Sequence, residues 1–313
     1  MQTDSIELGF LSIFALITFF IFLMTEKYSY KLGGGLLLDN DFVKPQAFHN
    51  EAISRSGGLA SLISLFLFIY FYYILYAEIL YEYIFIGLSL FIIGYLGDIK
   101  INISPNRRLI LMIICLGIFI NLLSIQINNL DLIFLKFWLE NKIFYNIFML
   151  LCFLFIINGA NLIDGFNGLL TINLIIINSV LLFLNLTNNH LEIAFFLTGQ
   201  IIILISFLLF NFPKAKIFLG DSGSYLFGSI VALNIIYTNN LNPGTSSFFF
   251  CILLFYLFFE VFFSFIRKTY QKKSPVLPDN MHLHMICYQI ISKKFGSKNG
   301  NYINSVVINF VFA

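Results

Sequence analysis

The chain is a succession of long apolar segments separated by short polar ones. A helix needs about 20 apolar residues to cross the hydrocarbon core, where its backbone groups find no water. Nine runs have that length and predict spanning helices near residues 7–24, 57–76, 79–96, 108–125, 142–158, 168–187, 191–210, 222–238 and 246–266. A tenth run, residues 302–313, has about a dozen residues and predicts a partial crossing.

The composition excludes a soluble or disordered chain. Of 313 residues, 59% are hydrophobic and 11% are charged, against roughly a quarter charged residues in a typical soluble domain. We therefore expect an all-α, polytopic integral membrane protein that forms a single domain over residues 1–313. Residues 1–7 contain no Lys or Arg, so we expect the first run to be a permanent span and not a cleaved signal.

The basic residues divide unequally between the two sides of the membrane. If the N-terminus is outside, all but Lys136 and Lys142 of the 18 Lys and Arg fall in segments on the inner side. Cytoplasmic segments of membrane proteins carry such an excess. The pattern therefore predicts an external N-terminus and long inner segments at residues 25–56 and 267–301.

Every cluster of Gly with Asp, Asn or His falls on that inner side. The clusters contain Asp98, Asp164, Asp221 and the pair His282 and His284. A single Asp beside Gly is an ordinary turn feature. Three on one face favour a site for a hard cation such as Mg²⁺, which prefers carboxylate and phosphate oxygens.

Small residues around Asp221 have two interpretations. Ser222 stands at an expected helix start, where backbone amides and hydroxyls can meet phosphate oxygens, and this favours a site. Gly228 lies further along the helix, where small residues more often serve helix packing.

The histidines favour phosphate over metal. Zinc would need two more ligands beside His282 and His284, and Cys287 is the only nearby candidate. Phosphate binding by the two imidazoles is therefore the favoured interpretation. His49 and Arg55 form a second pairing of this type at an inner helix entrance.

These motifs together resemble the polyprenyl-phosphate N-acetylhexosamine-1-phosphate transferases, glycosyltransferase family 4. That superfamily includes phospho-MurNAc-pentapeptide transferase and the undecaprenyl-phosphate GlcNAc-1-phosphate transferases. The resemblance runs from about residue 39 to 288 and rests on KPQAFHNEAISRSGG, GYLGDIK, NGANLIDGFNGL, KIFLGDSGSYLFG and RKTYQKKSPVLPDNMHLHM.

Three positions depart from the family pattern. Gly97 replaces the first of a usual pair of acids, Asn167 stands where an acid is common, and Met285 ends a motif that usually closes with His. Asn167 and the SPxxPD sequence look like the GlcNAc-type branch.

The resemblance implies transfer of an N-acetylhexosamine 1-phosphate from a UDP-sugar to undecaprenyl or another polyprenyl phosphate, with release of UMP. Such a step starts O-antigen, capsule or cell-wall glycan synthesis at the cytoplasmic face of a bacterial inner membrane. The resemblance also implies Mg²⁺ dependence, with Mn²⁺ as a substitute, and Asp221 and Asp164 as metal ligands. It places Asp98 nearest the acceptor phosphate and His282 among the catalytic residues. Substrate-binding residues would be His49, Arg55, Asn158, Asn161, Asn167, Ser222, Arg267 and His284.

Other classes of function stay open at this point. The muropeptide branch is the nearest alternative. Glu260, inside the ninth run, is the residue that a multi-pass transporter would use, although no internal repeat is evident. Gly97 leaves room for a binding or scaffold relative without catalysis. We expect no nucleic-acid partner, and a homodimer stays open.

Overall fold

The computed structural model describes residues 2–31, 35–40, 52–101, 103–131, 135–274 and 281–312. Regular structure within these ranges is almost entirely helical. The helices are α1 (Gln2–Tyr28), α2 (Gly57–Tyr76), α3 (Tyr81–Asp98), α4 (Pro105–Leu122), α5 (Lys136–Leu139), α6 (Lys142–Ile163), α7 (Leu169–Thr187), α8 (Leu191–Asn211), α9 (Gly220–Leu241), α10 (Ser247–Leu253), α11 (Phe255–Tyr270), α12 (Leu283–Phe295) and α13 (Ser297–Phe312). Two short strands, β1 (Leu38–Asp39) and β2 (Ile53–Ser54), pair antiparallel.

Seven helices of the described chain are long and apolar enough to cross a membrane: α1, α2, α3, α4, α6, α7 and α8. Local sequence sets their starts. Ser104 and Pro105 begin α4, and the Asn141 side chain begins α6 by accepting from the backbone N–H of Ile143 at 2.9 Å. The prediction of a helical, multi-pass membrane protein is confirmed.

The eighth predicted run forms α9, which differs from those seven helices. It packs against α2, α3, α6 and α7, and polar side chains such as Ser229, Asn234 and Thr238 are fully buried along it. Asn234 donates to Asn178 at 3.0 Å and to Gln200 at 2.6 Å. Because neighbouring helices satisfy these groups and exclude lipid, α9 tolerates a polar composition that a lipid-facing helix does not.

The ninth predicted run is divided into two helices. α10 and α11 meet at Leu254 and are bent by 71° relative to each other. Counted as one span, the pair raises the number of apolar candidate spans in the described residues to eight. The predicted total of nine full crossings plus a partial one stays a prediction.

The predicted partial crossing belongs to a longer helix, α13. This helix begins at Ser297, directly after Gly296, whose φ of +78° suits a residue without Cβ. Its buried face carries asparagines: Asn304 donates to the carbonyl of His284 at 3.0 Å, and Asn309 donates to that of Leu169 at 3.0 Å. Ahead of the apolar run, Asn301 accepts from the backbone N–H of Asn167 at 2.9 Å, so protein contacts also hold the polar start of the helix.

Glycines let α3 and α9 cross at close range. A Cβ built on Gly94 would lie 2.5 Å from the backbone N of Ser222 and closer still to the Asp221 carbonyl oxygen. A Cβ on Gly228 would lie 2.9 Å from the Cα of Ile157 in α6. Gly228 thus serves helix packing, as the sequence predicts. The crossing at Gly94 brings the end of α3 against the start of α9.

Backbone hydrogen bonds hold the entrance of α2 beside the same point. Phe218 N–H donates to the Ser54 carbonyl at 2.8 Å, and Gly57 N–H donates to the Phe218 carbonyl at 2.9 Å. Arg55 lies between Ser54 and Gly57 in sequence. The pairing therefore fixes the backbone of Arg55 next to the start of α9.

Candidate active site

Asp98 ends α3 and holds the first turn of α9. Its buried carboxylate accepts hydrogen bonds from the backbone N–H groups of Asp221 at 3.0 Å and Ser222 at 2.9 Å. The free N–H groups at the start of a helix carry partial positive charge and favour an anion. Asp98 therefore stabilises the start of α9 by accepting hydrogen bonds from two of its free N–H groups.

Arg55 connects Asp98 to β1. Its Nη2 donates to Asp39 at 2.7 Å, its Nε donates to the same oxygen at 3.1 Å, and its Nη1 donates to Asp98 at 3.3 Å. Burial works against the charge of Arg55, but Asp98 and Asp39 more than offset it and raise the pKa of the guanidinium. The arginine is thus a permanent cation that joins two carboxylates.

Asp221 is the carboxylate that this cluster presents to solvent. Its side chain is 25% exposed and forms an ion pair with Arg108, which comes from the first turn of α4. Asn161 of α6 donates to the other carboxylate oxygen at 3.2 Å and to Ser224 at 3.0 Å. Three helices therefore fix the orientation of the Asp221 carboxylate.

Asp164 follows the last residue of α6 and belongs to the same electrostatic group. Burial, together with the negative charges of Asp221 and Asp98, raises its pKa to about 7, although Arg55 acts in the opposite direction. A carboxyl with such a pKa is partly protonated at neutral pH, and a cation placed beside it would favour the charged form. Asp164 is therefore suited to accept a cation.

The two histidines form a second cluster around Glu260. His282 Nδ1 lies 3.0 Å from one oxygen of the Glu260 carboxylate, and His284 Nδ1 lies 2.9 Å from the other. Tyr256 donates its hydroxyl to Glu260 at 3.1 Å. The sequence left open whether the imidazoles share a face. They do, because His282 precedes the first residue of α12 in an extended conformation and the rings stack in parallel, 5.4 Å apart.

The loop after Asp164 brings the two clusters together. His284 contacts Phe166 edge to face with ring centres 5.7 Å apart. Its Nε2 lies 3.9 Å from the position that a Cβ on Gly165 would occupy. The histidine pair therefore lies against the loop that begins at Asp164.

Two predicted substrate-binding residues have structural partners. Asn158 donates to the carbonyl of Leu154 in its own helix at 2.7 Å. Asn167 donates from its side chain to the Pro213 carbonyl at 2.9 Å, and its backbone N–H donates to Asn301 at 2.9 Å. These contacts do not bring either asparagine side chain to the carboxylates.

Three others have different positions. Ser222 is fully buried, and it meets Asp98 through its backbone N–H. Arg267 donates to the Met281 carbonyl just before the histidines and stacks on Phe263 at 5.1 Å. His49 lies outside the described residues, so its predicted role stays a prediction.

Asp164 and Asp221 offer carboxylate oxygens, the type of donor that Mg²⁺ prefers. Mg²⁺ is usually bound by one or two carboxylates together with substrate phosphates and water. Across the described ranges, the structure assembles no group of three or more His, Cys, Asp or Glu side chains for a metal ion. In those ranges, protein side chains alone therefore do not supply a full set of metal ligands. The donors present match a site in which phosphate oxygens of the substrate supply the remaining ligands.

Sequence reasoning did not find three residues of the site. The sequence pattern gives Arg108 only as one of the inner positive charges, although its place in the first turn of a helix beside GYLGD is a usable signal. It gives Glu260 only as a transport candidate, although an acid in an apolar run followed by two histidines suggests an ion pair. Asp39 offered no signal, because its contact with Arg55 depends on the pairing of β1 with β2.

Comparison with known proteins identifies the family. The model of glycosyl transferase family 4 matches residues 80–239, which make up just over half of the chain and contain Asp98, Arg108, Asp164 and Asp221 but not Arg55. An undecaprenyl-phosphate alpha-N-acetylglucosaminyl 1-phosphate transferase from Thermotoga maritima is 26% identical over 250 residues, covering 79% of this chain and 71% of the relative.

Relatives of a second type match as well. A phospho-N-acetylmuramoyl-pentapeptide-transferase from Dictyoglomus turgidum is 28% identical over 294 residues, covering 86% of this chain and 87% of the relative. One from Leuconostoc mesenteroides is 43% identical over 95 residues, 30% of this chain and 29% of the relative. The resemblance found in the motifs is confirmed: the chain belongs to glycosyl transferase family 4.

Proposed function

We propose that this chain transfers an N-acetylhexosamine 1-phosphate from a UDP-sugar to a polyprenyl phosphate and releases UMP. The observation that carries the proposal is the grouping of Asp98, Asp164 and Asp221 at the start of α9 in a member of this family. The T. maritima relative, named as a transferase of this type, matches most of both chains and supports the same reaction here.

The reaction exchanges one phosphoanhydride bond for another. An oxygen of the acceptor phosphate forms a bond to the β-phosphorus of the UDP-sugar, the bond to the bridging oxygen breaks, and UMP leaves with the electron pair. Its barrier is set mainly by bringing two anions together and by stabilising charge on the transferred group. Arg108 supplies a positive charge for this purpose, and Asn161 keeps the Asp221 carboxylate in orientation.

Asp221 and Asp164 are the residues that would hold Mg²⁺. The ion, when bound, supplies positive charge against the diphosphate, and Mn²⁺ prefers the same oxygen ligands. Asp98 keeps the first turn of α9 in place, so that Asp221 projects from a fixed backbone. His282 and His284 bind phosphate oxygens from the neighbouring loop.

The acceptor does not require a dedicated base. The second pKa of a phosphate monoester is near 6, so at neutral pH the acceptor is already mostly a dianion. This suits a chain that has Gly97 in place of the first acid and in which Asp98 is bound to backbone N–H groups.

The location of the site at the membrane surface suits a lipid acceptor. At about 0.8 kcal/mol per buried CH₂, a polyprenyl tail stays in the bilayer, and only its phosphate reaches the interface. In this proposal the polar helix α9 crosses the membrane as well and makes nine crossings with the eight apolar candidates, which are the seven single helices and the bent pair α10–α11. With the N-terminus outside, the carboxylates and histidines face the cytoplasm of a bacterial inner membrane, on the side that holds most Lys and Arg.

Release of UMP from UDP-GlcNAc tests the proposal. The purified chain in detergent, given polyprenyl phosphate and Mg²⁺, should release UMP and form a lipid-extractable sugar diphosphate. Omission of the acceptor is the control. UDP-MurNAc-pentapeptide, tested in parallel, separates the two branches of relatives. If neither nucleotide releases UMP with the acceptor present, the proposed function is wrong.

A further inference from the structure

Glu260 is a fully buried acid in α11, and its hydrogen bonds within the described part of the chain go to Tyr256, His282 and His284, not to the carboxylate cluster around Asp221. An unpaired carboxylate at such a position is strongly unfavourable. Glu260 is instead surrounded by donors: the two Nδ1 atoms of His282 and His284, the Tyr256 hydroxyl and, at 3.4 Å, the backbone N–H of His284.

These contacts determine which nitrogen of each imidazole carries a proton. An ionised carboxylate only accepts hydrogen bonds, so both histidines must donate from Nδ1. A neutral imidazole that donates from Nδ1 has an acceptor at Nε2, whereas an imidazolium has a donor there. Because the rings are parallel within 5° and share Glu260 at one end, their Nε2 atoms point away from it together.

The Nε2 atom of His284 has a second distinctive property. The imidazole is completely buried, yet among the described residues this nitrogen has no hydrogen-bond partner. Buried polar atoms in proteins are rarely left without a partner. The atom faces Gly165, the residue after Asp164, and is therefore directed towards the loop where a substrate would lie.

We propose that Glu260 is a positioning residue that holds His282 and His284 so that their Nε2 atoms meet phosphate oxygens of the substrate. The inference rests on the proposed function, because it assigns the ligand of the histidine pair as phosphate. In metal sites, a carboxylate that accepts from one nitrogen of a histidine sets the orientation of the opposite nitrogen, and its loss typically reduces metal affinity or activity 10- to 100-fold. Glu260 stands in the same relation to the two imidazoles. Glu260 thus acts through the histidines and does not touch the reacting atoms.

Nitrogen NMR on the chain labelled with ¹⁵N-histidine tests the positioning directly. His282→Gln and His284→Gln assign the two signals by their loss. In the parent protein both Nδ1 atoms should carry a proton, and Glu260→Gln should shift at least one imidazole towards the other tautomer. If neither Nδ1 is protonated in the parent, or if both signals stay unchanged in Glu260→Gln, the proposal is wrong.

A double-mutant cycle separates positioning from folding. Glu260→Gln alone should lower kcat/KM at least tenfold, but it should add less than about twofold once His282→Ala and His284→Ala are both present, because Glu260 then has no imidazole left to hold. Gln200→Leu is the matched control, because it removes a buried polar group that bonds to Asn234 away from the histidines. It should lower the melting temperature while kcat/KM and the histidine spectra stay near those of the parent.

The positioning role and the proposed function can be contradicted separately. Full additivity of Glu260→Gln with the combined His282→Ala and His284→Ala changes would show that Glu260 acts through folding, and it would overturn the positioning role. A parent protein that releases no UMP from any UDP-sugar would overturn the proposed function instead. In that case the histidine spectra still decide whether Glu260 fixes the two tautomers.

Discussion

At the scale of single residues, three aspartates near one point have three different environments. Asp98 is buried and accepts hydrogen bonds from backbone N–H groups, Asp164 has a raised pKa, and Asp221 reaches solvent beside Arg108. Sequence alone presents all three as an Asp next to Gly on one membrane face. Their roles differ because burial and partners differ, and this separates substitutions that affect chemistry from those that affect the fold.

Asp221→Asn should abolish turnover and leave the protein folded. The change removes negative charge from a partly exposed carboxylate that would hold Mg²⁺; it weakens the ion pair with Arg108 but alters no packed apolar contact. UMP release and the melting temperature in detergent are the two measurements. Asp131→Asn, in the connection after α4, is the matched control and should keep its activity. Activity of Asp221→Asn within about threefold of the parent, about 0.6 kcal/mol on the barrier, would contradict the metal assignment.

The pKa of Asp164 predicts a pH-dependent requirement for Mg²⁺. With a pKa raised to about 7, the carboxyl binds a proton below that pH, and Mg²⁺ must displace it. The Mg²⁺ concentration for half-maximal activity should therefore fall as the pH rises from about 6 to 7 and level off above. Asp164→Asn should remove this dependence. A requirement that is flat from pH 6 to 8 in the parent would argue against Asp164 as a ligand.

Gly97→Asp should lower turnover, although it restores the family's first acid. A Cβ on Gly97 would lie 3.0 Å from Arg108 Nη1 and 3.1 Å from Asp221 Oδ2. A carboxylate there would compete for Arg108 and repel Asp221. Gly97→Ala adds the Cβ without the charge and should be less harmful. Higher kcat in Gly97→Asp at saturating Mg²⁺ would show that the natural site is incomplete.

At the scale of elements, the apolar runs predict most helices, and the exceptions have physical causes. α9 is polar because helices on several sides satisfy Asn234 and its neighbours, and a hydropathy pattern cannot register partners that are distant in sequence. α13 begins before its apolar run, in a polar turn where Asn301 accepts from the backbone N–H of Asn167. For the same reason the predicted site contained Asp221 and both histidines but lacked Arg108 and Glu260, whose roles arise from packing.

Gly94→Ala should destabilise the crossing of α3 and α9. The added Cβ would meet backbone atoms of Asp221 and Ser222, which cannot move aside as a flexible side chain can. We expect a loss of about 1–3 kcal/mol in unfolding free energy, as for other overpacked sites. Gly117→Ala in α4 is the control, because nothing lies within 4 Å of its added Cβ. Equal melting temperatures for Gly94→Ala and the parent would refute the close crossing.

At the scale of the whole molecule, the proposed reaction requires its charged groups to lie on a single membrane face. The carboxylate cluster, Arg55 and the histidine pair converge although they come from segments more than 200 residues apart in sequence. A soluble nucleotide sugar and a lipid phosphate can meet only where the protein surface touches both water and the bilayer. All of these groups must therefore be accessible from the cytoplasm if the proposed reaction is correct.

Cysteine labelling in intact bacterial cells tests this orientation. In a variant whose four native cysteines are replaced, Lys214→Cys and Lys273→Cys mark the proposed inner side, and Gly244→Cys marks the outer side. All three positions are exposed. A membrane-impermeant maleimide should label Gly244→Cys in intact cells and should label the two others only after permeabilisation. Labelling of Lys214→Cys or Lys273→Cys from outside would place these inner-side markers on the wrong side of the membrane, because the same nine-crossing arrangement puts them and the carboxylates on one face.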